Sequence, residues 1–173
     1  MNPVDEATGT DRAPALWRRL VCFLYEGVLL FGVVMIGGLF YALVTRQTHA
    51  LHGQTGLRVW LFLLLGAYFV WFWTRGGQTL AMQTWHIRLE TATGQTVGWG
   101  RACLRYLLAW LWFVPALAMV SWSGLKSTAL VFTAMAVGVL VYGALSRLHP
   151  QRQFWHDVVA GTRLVHWERP KRP

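Results

Sequence analysis

Four long apolar stretches constrain this chain more than any other feature of its sequence. They cover about residues 20–44, 57–73, 101–122 and 127–145. A helix needs roughly 20 apolar residues to cross the hydrocarbon core of a bilayer. Because 55% of the residues are hydrophobic and only 13% are charged, the chain lacks the polar surface of an ordinary soluble domain. The sequence predicts an integral membrane protein with four transmembrane helices.

The two ends of the chain are polar. The first 15 residues contain three acids and lack the basic start and short apolar core of a cleavable signal peptide. We therefore expect a polar N-terminal tail over residues 1–15, one transmembrane domain over 16–168 and a basic C-terminal tail over 169–173.

Basic residues are distributed unequally between the connections of the predicted spans. Three arginines precede the first span, four lie between the second and third, and six basic residues follow the fourth, whereas the other two connections together contain three. The positive-inside rule then places both termini and the middle loop in the cytoplasm, with the protein crossing the cell (inner) membrane several times. Since these charges lie at the ends of spans, the net charge of +9 does not indicate nucleic-acid binding.

The middle loop contains a short alternating pattern. In WHIRLE, residues 85–90, apolar Trp85, Ile87 and Leu89 alternate with polar residues, and Gly94 supplies a turn soon afterwards. This period of two is typical of a strand, so we expect a short cytoplasmic β-hairpin between spans two and three. TRLVHW, residues 162–167, alternates similarly and is a candidate third strand. The expected fold class is an all-α membrane protein, a four-helix bundle with this hairpin.

An acid lies inside the first span. Glu26 follows Arg19 by seven residues on nearly the same helical face, about 10 Å deeper in the membrane. Inserting a central acid costs roughly 2.5 to 3.5 kcal/mol, so such residues normally face the bundle interior and have a partner. A functional site and a purely structural pairing both remain open on this ground.

The ordered set of motifs resembles the RDD family of membrane proteins. The set consists of Arg19 with Glu26, then GGQTLAMQTWHIRLETATGQTV before a span that opens with Arg101 and Arg105, and finally FWHDVVAGTRLV, residues 154–165. The family is named for an Arg and two Asp residues, and the resemblance covers nearly the whole chain after about residue 15.

Carried over by position, the resemblance assigns the family's Arg to Arg19, its first Asp to Glu26 and its second Asp to Asp157. Glu26 departs from the family pattern because its side chain is one methylene longer. Ala81 and Met82 depart too, since they stand where similar proteins tend to have Gly and Lys.

Two pairings are expected among these charges. Arg19 and Asp157 both lie at the cytoplasmic edge, which favours an ion pair between a guanidinium and a carboxylate. Glu26 then has Arg101 and Arg105, one helical turn apart, as its nearest basic candidates. The alternative for these two arginines is contact with anionic headgroups. His156 beside Asp157 could relay protons, although a neighbour that only donates hydrogen bonds is the simpler interpretation.

Enzymatic and metal-dependent functions lack their motifs. The sequence contains no HExxH, GxSxG or phosphate-binding glycine loop, and Cys22 and Cys103 have no metal-ligand spacing. We expect no catalytic activity, no metal and no cofactor.

Two hypotheses for function remain. An intramembrane acid can alternate between a proton and a cation, which favours transport of small monovalent cations or protons, a function that the resemblance also implies loosely. Four spans are few for alternating access, so a homo-oligomer is expected in the lipid bilayer. The alternative is an interaction or assembly module that holds another membrane protein, with Arg19, Glu26 and Asp157 as a structural clasp.

Overall fold

The computed structural model describes residues 13–46, 54–110, 128–148 and 153–167, together with Phe113, Ala118 and Trp122. This part of the chain is mostly helical. The helices are α1 (Leu16–Thr45), α2 (Gln54–Arg75), α3 (Leu80–Thr84), α4 (Trp99–Ala109), α5 (Thr128–Leu145) and α6 (Trp155–Val159), and the turn Ser146–Leu148 is a 3-10 helix. The strands are β1 (Ile87–Thr91) and β2 (Thr162–His166).

Three of the described helices, α1, α2 and α5, are long and apolar enough to cross a membrane. They correspond to the first, second and fourth predicted spans. Of the predicted third span, 101–122, α4 supplies the first half, and most of residues 111–122 lie outside the described part of the chain. The fourth helix of the bundle therefore stays a prediction.

Helices α1 and α2 approach closely at a glycine. A Cβ atom at Gly37 would collide with Cδ2 of Leu64, so no larger residue fits there without movement. The exposed backbone accepts a side-chain hydrogen bond, since Trp60 Nε1 donates to the carbonyl oxygen of Gly37 at 2.9 Å. Small residues commonly allow transmembrane helices to pack backbone to backbone in this way.

The strand predicted within residues 85–90 forms, but its partner differs from the prediction. β1 pairs antiparallel with β2, with Leu89 opposite Leu164, and the described sheet has these two strands. After the turn at Gly94, residues 95–98 form no strand. The predicted hairpin is therefore wrong, whereas the candidate strand in 162–167 is confirmed as β2. Alternation identifies a strand, but it does not specify which other strand completes the ladder.

Both outer edges of this small sheet are occupied. Beside β1, Leu89 N–H donates to the Gly77 carbonyl oxygen at 2.7 Å, and the Gln78 amide donates to the Ile87 carbonyl oxygen at 2.7 Å. Beside β2, the Gln153 amide both donates to and accepts from the backbone of Leu164. Gly77 has a φ of 69°, and a Cβ there would lie 2.6 Å from the Leu89 carbonyl oxygen. Side chains and a loop thus satisfy backbone groups that an open edge would leave unpaired.

The buried core lies where the start of α1, the end of α2, α3, the sheet and α4 meet. Its members are apolar residues from these elements, including Val70, Trp73, Met82, Leu89 and Tyr106. Farther along α1, large apolar side chains such as Phe31 and Ile36 are exposed. The long apolar helices therefore present apolar surface outwards, and the end at which they pack together carries the polar residues described next.

Candidate functional site

The buried face of α1 is polar. Arg19, Cys22 and Glu26, spaced by three and four residues, are buried together with Gly37, whereas most of the surrounding apolar side chains on this helix are exposed or half-buried. A spacing of three and four residues puts side chains on one face of a helix. Helix α1 thus directs Arg19 and Glu26 into the protein and leaves many of its apolar side chains exposed.

Glu26 is held by two hydroxyl groups. The Tyr68 hydroxyl of α2 donates to Glu26 Oε1 at 2.8 Å, and the buried Thr79 hydroxyl donates to Oε2. Thr79 is also the N-cap of α3, where its side-chain oxygen accepts from the Met82 backbone N–H. The carboxylate, only 8% exposed, is therefore positioned by α2 and by the first turn of α3.

Asp157 forms an ion pair with Arg105. Arg105 Nε donates to Asp157 Oδ1 at 2.7 Å, and His156 Nε2 lies 3.3 Å from the same oxygen. Asp157 is 0% exposed, and the Arg105 guanidinium lies over the Trp73 ring at 4.2 Å from its centroid. A charge this deeply buried needs such a partner, since desolvation of an isolated ion costs several kcal/mol.

His156 connects this ion pair to α5. The Tyr142 hydroxyl lies 3.0 Å from His156 Nδ1 and accepts a hydrogen bond from the His156 backbone N–H at 3.0 Å. The chain of contacts therefore runs from Tyr142 through His156 and Asp157 to Arg105, joining α5, α6 and α4.

Arg19 is buried without an ion pair in the described part of the chain. Its side chain is only 5% exposed, and its guanidinium lies over the Phe154 ring at 4.4 Å from the centroid. Among the described residues, its Nε and Nη1 atoms have no hydrogen-bond partner. The charge of Asp157 acts on this guanidinium, but from beyond the 4.0 Å range of a salt bridge.

A cavity of about 490 Å³ lies between these groups. Its lining residues include Arg19, Glu26, Thr79, Arg105 and His156, and most of the other lining residues are apolar. Within the described ranges, no group of three or more His, Cys, Asp and Glu side chains is arranged to hold a metal ion. The cavity is thus a mainly apolar space with charged and polar residues along part of its wall.

The sequence model of the RDD family matches residues 13–161, which include Arg19, Glu26 and Asp157. The chain belongs to the RDD family. No curated protein and no solved structure matches it significantly. Its family and its apolar helices together identify it as an RDD family membrane protein.

The predicted ion pair between Arg19 and Asp157 is wrong for this RDD protein. The partner of Asp157 is Arg105, one of the two arginines that the sequence assigned to Glu26. Helix α4 packs against α6, which brings Arg105 to the carboxylate, whereas Arg19 turns to the Phe154 ring. Proximity to the same membrane edge did not determine which arginine makes the contact.

The predicted basic partners of Glu26 are wrong as well. Arg105 is paired with Asp157, and Arg101, one helical turn earlier on α4, is exposed. The two hydroxyl groups that take their place, from Tyr68 and Thr79, were missed. Thr79 directly precedes an apolar helical stretch and so carried an N-cap signal, whereas Tyr68 is one aromatic residue among many in its span.

Burial and neighbouring charges shift the pKa of Asp157 in opposite directions. Burial alone raises the pKa of the carboxyl group, but the positive charge of Arg105, the contribution of His156 and the hydrogen bonds from both outweigh it and lower the pKa to about 2. Asp157 of this RDD protein is therefore ionised at any physiological pH.

This lowered pKa predicts an acid-dependent loss of stability. Because the folded-state pKa of Asp157 lies below its ordinary value of 3.8, its contribution to stability is complete above about pH 4 and is lost as the pH falls to about 2. The free energy of unfolding in mixed micelles, measured between pH 5 and pH 2, should fall more steeply for the wild type than for Asp157→Asn. The variant has no titrating group at position 157. An equal pH dependence of the two free energies of unfolding would contradict the lowered pKa of Asp157.

Proposed function

We propose that this RDD protein exchanges protons for small monovalent cations across the cell membrane, with Glu26 as the acid that binds each in turn. The supporting observation is the position of Glu26. Its buried carboxylate lies on a spanning helix, lines the cavity and is held by two neutral hydroxyl groups. Among the described residues it has no salt bridge.

The neutral partners make this exchange chemically reasonable. A carboxylate fixed by an arginine is already neutralised and gains little from a further cation. Hydroxyl groups stabilise the carboxylate by donating hydrogen bonds, and their oxygen atoms also have lone pairs that can contribute to cation binding. Tyr68 and Thr79 can therefore support Glu26 whether it binds a proton or a cation.

The Arg105–Asp157 pair has a separate, positioning role in this proposal. Asp157 holds the Arg105 guanidinium in an ion pair, so that Arg105, which also lines the cavity, does not neutralise Glu26. A multi-pass topology with both termini in the cytoplasm, and a homo-oligomer that completes the path for the ion, belong to the same proposal. No catalytic activity is part of it.

Purified protein in phosphatidylcholine vesicles tests the proposal. With a pH-sensitive dye inside, addition of Na⁺, Li⁺ or K⁺ outside should release internal protons faster than in vesicles without protein. Choline, which is too large to replace a proton on a buried carboxylate, is the control cation. Rates that equal those of protein-free vesicles for all three cations would overturn the proposal and favour an interaction module, which co-purification of a single partner would identify.

A further inference from the structure

The unpaired arginine in the cavity wall needs a ligand of its own. Arg19 is nine-tenths buried, lines the cavity, and has two nitrogen atoms without a hydrogen-bond partner among the described residues. Burying a charge without hydrogen bonds is costly, and a guanidinium preferentially binds carboxylate or phosphate oxygens. Arg105, the other arginine of the wall, is already occupied by Asp157.

The rest of the cavity suits an acyl chain. Away from the polar groups, its lining includes Leu30, Leu65, Phe69 and Trp110. Its volume lies in the range of about 300 to 1,000 Å³ that small-molecule sites usually have. An anion with a long apolar tail would satisfy both parts of this lining, whereas a small hydrated anion would leave the apolar part without a partner.

The cavity continues onto the outer surface of α1. A shallow groove on this helix is lined by Phe23, Leu24, Gly27, Val28 and Phe31, and two of these residues, Phe23 and Gly27, also line the cavity. Phe23 and Gly27 are exposed, so the shared boundary opens on the apolar face of the helix. Gly27 lies about 12 Å deeper along α1 than Arg19, by the rise of 1.5 Å per residue.

We propose that this cavity binds a fatty acid, with its carboxylate on Arg19 and its acyl chain passing between Phe23 and Gly27 into the groove on α1. The orientation matches that of an amphiphile in a bilayer, with the charged end near the start of the helix and the chain directed inwards. Glu26, two helical turns beyond Arg19, is engaged by its two hydroxyl partners and stays clear of the ligand carboxylate.

Photo-crosslinking tests the site without measuring transport, so its outcome is independent of the proposed cation exchange. The protein is placed in phosphatidylcholine nanodiscs with a palmitate analogue that carries a diazirine on its chain, and labelled peptides are identified by mass spectrometry. We expect labelling within residues 23–31 of α1 and protection by unlabelled palmitate. Equal protection by methyl palmitate, by acetate or by the two-chain anion phosphatidylglycerol would overturn the assignment of a fatty acid.

Two variants locate the ligand. Arg19→Gln should raise the palmitate concentration needed for half-protection about tenfold or more, the effect of losing charge-assisted hydrogen bonds to a carboxylate. Gly27→Leu should narrow the opening between cavity and groove, and its Cβ atom would meet nothing within 4 Å. Gly32→Leu, equally free of contacts and outside both linings, is the control. Wild-type protection in both Arg19→Gln and Gly27→Leu would overturn the site.

Discussion

Vesicles that carry the Glu26→Gln variant should exchange protons for Na⁺ no faster than vesicles without protein. Glutamine keeps the size of the side chain and can still hydrogen-bond with Tyr68 and Thr79, whose hydroxyls hold the carboxylate in the wild type. It cannot, however, bind and release a proton in this pH range. The substitution therefore removes the exchange chemistry while leaving the packing around α1 nearly unchanged.

Two further variants separate this effect from a general loss of charge. Glu26→Asp, which restores the family's usual residue, should retain measurable exchange because the carboxylate is kept. Glu90→Gln removes an acid on β1, outside the cavity lining, and should exchange like the wild type. Wild-type exchange in Glu26→Gln would show that another group couples the two ions.

Replacing Asp157 with alanine should destabilise the protein by about 3 to 5 kcal/mol, the usual effect of breaking a buried ion pair from one side. The Arg105 guanidinium would then remain buried over the Trp73 ring without its carboxylate, and His156 would lose the same oxygen. Unfolding in mixed micelles, with circular dichroism as the signal, measures this free energy for each variant.

A double-mutant cycle distinguishes which of two arginines, Arg105 or Arg19, forms the ion pair with Asp157. The combined Asp157→Ala and Arg105→Ala variant should be much less destabilised than the sum of the single effects, because each substitution removes the other's unpaired charge. The same cycle with Arg19→Ala should give a smaller coupling energy, since Arg19 lies beyond salt-bridge distance. A larger coupling for Arg19 than for Arg105 would contradict the observed pairing.

The identities of the charged residues were predictable from the sequence, but their partners were not. Glu26 stood out because an acid is rare in an apolar span, the resemblance to the RDD family assigned Arg19 and Asp157, and Arg105 and His156 followed as candidates for contact with these charges. Which carboxylate Arg105 meets depends on how α4 packs against α6, a contact between residues 52 positions apart. Periodicity along one segment carries no information about such a contact.

The partners of Glu26 were harder to predict for a different reason. A charge in an apolar span suggests an opposite charge, yet the structure satisfies Glu26 with hydroxyl groups. Tyr68 lies among many aromatic residues whose sequence pattern is the same whether they contact lipid or a carboxylate. The long helices, in contrast, were predictable, because crossing a bilayer requires a length and composition that are visible within one stretch of sequence.

The pairing of β1 with β2 has a consequence for biosynthesis. About 70 residues separate the two strands along the chain. At a synthesis rate of about 5 to 20 residues per second, β1 waits on the order of 4 to 15 s for its partner to be made. Over part of this interval Arg105 also lacks its carboxylate, because Asp157 is made 52 residues later. The packed end of the protein is therefore completed only when the last segment is made. A chain that stops before residue 157 leaves β1 without its partner strand and Arg105 without its carboxylate.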